Sequence, residues 1–74
     1  MKDKERLYKI LDAAELQFLS QKATNEANLS VYLRSAVGVA EHPDIVDEVM
    51  RMIQKIAEAE ESIKIVKKMK DGRH

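Results

Sequence analysis

The chain has 74 residues, no cysteine, and 13 basic against 13 acidic residues, for a formal net charge of zero. These figures exclude a disulfide framework, a thiolate metal site and a polycation built for bulk binding to nucleic acid. Charged residues make up 35% of the chain and aromatic residues 4%, a balance that suits long packed helices better than a β domain.

A core this small rarely offsets the entropy of ordering the chain without help. With no cysteine, and only His42 and His74 as imidazoles, the remaining aid is a partner chain, so a homo-oligomer is expected, with a dimer favoured. No cofactor is expected. No apolar run approaches membrane-spanning length, and the stretch Met1 to Arg6 lacks the apolar centre of a signal peptide. A cytoplasmic protein with no membrane partner is expected.

The apolar spacing predicts a single domain over residues 1–74, an antiparallel two-helix hairpin. Helix 1 runs from about Asp3 to about Val37, loop 38–42 follows, and helix 2 runs from about Pro43 to about Lys70. Asp3 is a reasonable N-cap, and Glu5 suits the positive end of the helix dipole. Leu7, Leu11, Ala14 and Phe18 follow helical spacing, widened by Tyr8, Ile10 and Leu19, and Leu29, Tyr32, Leu33 and Ala36 return to the same face.

Between Leu19 and Leu29 that face is interrupted by polar residues. A helix break near Thr24–Asn25 is one outcome, and a continuous helix carrying a polar layer is the expected one. Such a layer of Gln21, Asn25 and Asn28 would fix register and oligomer number at some cost in stability. Its functional alternative is a site for a small polar ligand.

In the loop, Gly38 can stop a helix because a residue without Cβ enters the left-handed conformation cheaply. Pro43 can start the next helix, since its missing N–H would be unpaired in the first turn anyway. Glu41, His42 and Asp44 stand together there, a set that could bind a metal or move a proton. The simpler reading makes His42 an N-cap, gives Asp44 to the helix dipole and leaves Glu41 in solvent. Nothing else in the chain completes a ligand set or a nucleophile–base pair, so no catalytic or metal-binding residue is assigned and no enzyme is expected.

Helix 2 has the cleaner pattern. Ile45, Val49, Met52, Ile56, Ala59, Ile63 and Val66 alternate by four and three, the sequence form of a knobs-into-holes seam, and are expected to form the oligomer seam. Val46, Ile53 and Ala57 widen it toward a bundle face. Asp47–Arg51 and Glu60–Lys64 have the favoured acid-before-base order for intrahelical pairs. Two such hairpins would dock as a four-helix bundle.

Charge is uneven along the rod. Helix 2 is acid-rich toward its start and lysine-rich toward its end, and Lys2, Lys4, Arg6 and Lys9 join the second group when the chain folds back. A basic end could meet nucleic acid weakly. A basic end and an acidic end also favour an antiparallel arrangement of two rods.

The stretch from Ala27 to Val46 resembles small proteins encoded by T4-like phages of aquatic bacteria, including cyanophages. Their pattern is an Ala-Asn-x-x-x-Tyr run, then Val-Gly-Ile-Gly-Glu-His-Pro-Asp, then an acidic amphipathic helix. Ala27, Asn28, Tyr32, Val37, Gly38, Glu41, His42, Pro43 and Asp44 match, and Ala40 replaces the second glycine. The resemblance implies an accessory protein that acts by binding, and it carries no assigned activity. The expected function is therefore that of a non-enzymatic accessory interaction protein, binding a host or phage protein as a homo-oligomer. Sequestration of a small ligand and weak nucleic-acid binding are the alternatives.

Overall fold

A computed structural model of the chain describes residues 2–36 and 43–72. Two helices, α1 (Lys2–Ala36) and α2 (Pro43–Asp71), pack against each other, and the described residues contain no strand. They form a rod with extents of 59 × 15 × 13 Å. Val37, Gly38, Val39, Ala40, Glu41 and His42 lie outside the described residues, and with them the expected helix stop and N-cap.

Both helices start close to where their dipole chemistry places them. α1 begins at Lys2, so Asp3 sits inside the first turn with Glu5 rather than capping it. Asp44 lies in the first turn of α2, with Lys68 and Lys70 in its last. Each sign opposes the partial charge of its helix end. α2 closes at Gly72, whose N–H donates to the Lys68 carbonyl at 3.2 Å.

α1 is unbroken through Thr24 and Asn25. Residues of high helix propensity surround the polar interval, and neither glycine nor proline occurs in it, so nothing opens the backbone ladder.

The inward positions define the packing. On α1, Tyr8, Leu11, Glu15, Phe18, Lys22, Asn25, Leu29, Tyr32 and Ala36 are half-buried or buried, and they recur strictly by three and four. On α2, Ile45, Val49, Met52, Ile56, Ala59, Ile63, Val66 and Lys70 do the same. This is the two-helix seam of a coiled coil, and within one chain each helix covers the other. The best-buried apolar side chains are Leu11, Ala59, Ile63 and Val66. All but Ala59 lie toward the chain-end half of the rod, so the seam is driest there. Leu7, expected on the apolar face, is exposed. Tyr8 takes the inward position, because the three–four spacing runs through residues 8 and 11.

Candidate functional site

The seam contains charge as well as hydrocarbon. Glu15, Lys22 and Asn25 occupy inward positions of α1, and Lys70 occupies the last inward position of α2. Lys70 Nζ stands 2.6 Å from Asp12 Oδ1 and 2.7 Å from Glu15 Oε1. Its hydrogen bond to Asp12 first, and that to Glu15 second, raise its pKa above the ordinary lysine value, against a smaller opposing effect of burial. One turn toward the centre from this clamp come Phe18 and Val66, and then the second cross-helix pair, Lys22 Nζ to Glu60 Oε2 at 3.3 Å.

Glu60 therefore reaches across to α1 rather than pairing with Lys64 on its own helix. Likewise Arg51 pairs with Glu48 at 3.3 Å, three residues away, and not with Asp47. Glu48 is half-buried beside the seam while Asp47 faces outward. In the second case the acid nearer the partner helix holds the cation, and in the first the acid takes the cation of the partner helix.

The expected polar layer divides. Asn25 is half-buried against α2, whereas Gln21 and Asn28 are exposed. The Asn25 amide does not bridge the helices. Its Nδ2 donates to the Gln21 carbonyl of its own helix at 2.8 Å, and across the seam Ser62 Oγ donates to the Glu58 carbonyl at 2.8 Å. Each group is satisfied locally, a habit of short polar side chains in helices. The surrounding groove, about 310 Å³, is open to solvent and lined by Phe18, Gln21, Asn25, Lys55, Glu58, Ala59 and Ser62. It offers amide, ammonium, carboxylate and hydroxyl groups on a shallow floor.

A second open groove of about 340 Å³ lies on the opposite flank, between Leu19, Lys22, Glu60, Ile63, Lys64 and Lys67. Of the loop site residues, Asp44 is exposed at the head of α2 and Pro43 opens that helix. Gly38, Glu41 and His42 lie outside the described residues. Among the described residues, no group of three His, Cys, Asp or Glu side chains is placed to hold a metal ion. No helix of the described residues is long and apolar enough to cross a membrane.

The residues expected to form an oligomer seam, Ile45, Val49, Met52, Ile56, Ala59, Ile63 and Val66, all face α1 of the same chain. What remains outside is apolar too. Leu7, Ile10, Leu16, Leu19, Val31 and Leu33 on α1, and Val46, Met50, Ile53, Ile65 and Met69 on α2, are exposed. The sequence carried a signal for the inward charges, since the three–four spacing continues from Phe18 through Lys22 and Asn25 to Leu29. A search for apolar residues alone passes over it.

No protein-family model, curated protein or solved structure matches this chain.

Proposed function

We propose that this protein is a non-enzymatic helical interaction protein, a phage-type accessory factor that assembles as a homodimeric four-helix bundle and binds a protein partner. One observation supports this reading above the others: the single-chain seam leaves broad apolar flanks in water. Leu16 is 67% exposed, Ile10 60% and Val46 60%. Exposed apolar area of this kind, rimmed by charge, is what an association surface presents. At about 25 cal/mol per Å², covering several such side chains would add several kcal/mol to a small domain.

The arrangement favours binding over chemistry. Lys70 pairs with Asp12 and Glu15, and Lys22 with Glu60, across the seam, and the grooves are open and shallow. The groove beside Asn25 supports sequestration of a small polar ligand as a second reading, because four kinds of polar group converge there.

Sedimentation velocity across the micromolar range tests the leading reading. A species of twice the 8.5 kDa chain mass, dissociating and unfolding together on dilution, is the expected result. A stable folded monomer at micromolar concentration would refute it.

A further inference from the structure

The two flanks of the hairpin are not equivalent. Leu19 shares a groove with Lys64 and Lys67, whereas Gln21 shares one with Lys55 and Glu58 on the other side. Residues seven apart repeat the same helical position. Leu33 therefore lies on the Leu19 flank, Val46 and Ile53 lie in line with Glu60 and Lys67, and Met50 lies in line with Lys64. Leu16 joins them through its groove with Leu19. Toward the chain ends Lys9, Asp12, Lys64 and Lys67 line this flank. Through its middle and loop-side part it is the more apolar of the two, with two small residues, Ala23 and Ala57, at its middle. The opposite flank is interrupted there by Gln17, Gln21, Thr24, Lys55 and Glu58.

We propose that the Leu16–Leu19 flank takes a second copy of this chain, antiparallel, about a two-fold axis between the levels of Leu19 and Ala23. The inference rests on the homo-oligomer reading above and adds the face, the direction and the register.

Charge complementarity fixes the direction. The Lys22–Glu60 pair places those two residues at one level of the rod. Lys64 and Lys67 lie one and two turns from it toward the chain ends, and Glu26 lies one turn toward the loop. A two-fold axis midway between the levels of Lys64 and Glu60 brings each Lys64 to the second copy's Glu60. The same rotation brings each Lys67 to the second copy's Glu26. One operation thus makes four opposite-charge pairs. A parallel arrangement on the same face sets the Lys64 and Lys67 levels of the two copies side by side, like charge with like. Exposed pairs are individually weak, so they choose the orientation while apolar burial supplies the affinity.

Shape agrees with charge. About that axis α1 lies over α1 of the second copy, and each Leu19 comes close to the other copy's Ala23. Large side chains meet small ones, which lets the helices approach closely and interdigitate. The axis also lies near the middle of α1, so the two rods overlap along most of their length.

The chain has no cysteine of its own, so single-cysteine variants report cleanly. Ala23 and Ser30 are both exposed on the proposed face, and both accept cysteine with little change of volume. At 1.5 Å per residue, the two copies of residue 23 sit roughly 9 Å apart along the axis and those of residue 30 roughly 30 Å apart. With a short-arm bismaleimide, and the dimer verified by sedimentation, Ala23→Cys should crosslink and Ser30→Cys should not. Lys67→Glu should weaken self-association roughly 3- to 10-fold, and adding Glu26→Lys should restore it.

A dimer in which Ala23→Cys fails to crosslink uses another face, and a dimer that crosslinks through Ser30→Cys is parallel. Either result overturns this inference while leaving the homo-oligomer reading intact. A parent protein that sediments as a folded monomer overturns both.

Discussion

Lys70 and Glu15 hold opposed inward positions of the seam, with Nζ 2.7 Å from Oε1. They close the chain-end half of the hairpin with a charge pair where a coiled coil ordinarily places two apolar side chains. Asp12 adds a second acceptor at 2.6 Å. The lysine is thus held between successive turns of α1, and removing it leaves Glu15 half-buried with its cation gone. Lys70→Met should lower stability in urea unfolding, in spite of the apolar gain, and Lys70→Met combined with Glu15→Leu should recover or exceed the parent.

The same pair sets an alkaline limit. The folded protein holds the Lys70 proton more tightly than the unfolded chain does, because Asp12 and Glu15 hydrogen-bond the ammonium. A raised folded-state pKa gives a contribution that is complete below the ordinary lysine value of 10.5 and is lost as pH rises through the raised value. The stability difference between the parent and Lys70→Met should be flat from neutral pH to about 10 and shrink above it. Urea midpoints of the two proteins, measured as a pH series at fixed ionic strength, check this.

Ile63 and Ile65 differ by two residues and by side of the helix. Ile63 is 7% exposed and Ile65 is 52% exposed. Ile63→Ala should destabilise by about 2–4 kcal/mol through lost burial and a residual cavity. Ile65→Ala should change stability by no more than about 0.5 kcal/mol. Comparable losses in chemical denaturation would mean that the Ile65 flank, not the Leu19 flank, is covered in the assembled protein.

Asn25 and Asn28 separate by the same logic. Asn25→Leu places an apolar side chain at an inward position of the seam within one chain and should raise stability by about 1–2 kcal/mol. Asn28→Leu, on an exposed position, should change it little. A thermal-shift screen of nucleotides and other polar metabolites on the parent and on Asn25→Leu tests the sequestering reading. A ligand that raises Tm of the parent alone supports it, and no hits alongside a more stable Asn25→Leu removes it.

At the close of α2, a Cβ added to Gly72 would stand 3.4 Å from the Met69 carbonyl oxygen, an ordinary contact. Gly72→Ala should therefore lie within about 0.5 kcal/mol of the parent, on the stabilising side, since alanine restricts the unfolded chain more than glycine does. Thermal unfolding of the two proteins decides it.

The basic chain-end region should bind duplex DNA only weakly. Lys70 is already held by Asp12 and Glu15, which leaves Lys4, Arg6, Lys9, Lys64, Lys67 and Lys68 to meet phosphates. Any affinity should fall steeply with added salt through counterion release. Tight, sequence-dependent binding at physiological salt in a fluorescence-anisotropy titration would contradict this.

The sequence by itself determined the two helices and the inward residues of α2, because burial on one helix face imposes a three–four recurrence that apolar residues display openly. It also placed the start of α2 at Pro43, where a missing N–H has no cost, and the dipole-opposing charges near the helix ends. On α1 the apolar members of the inward face, Leu11, Phe18, Leu29, Tyr32 and Ala36, were legible too, and only the tertiary structure decided what fills the rest of that face. There the recurrence passes through Glu15, Lys22 and Asn25, which read as surface residues until Lys70 and Glu60 stand opposite two of them and the Gln21 carbonyl satisfies the third. Whether a charged or polar residue belongs to a seam depends on a partner far away in the chain, as Glu15 and Lys70 show. A local pattern of hydropathy contains the spacing of a helix but not the identity of the residue across from it.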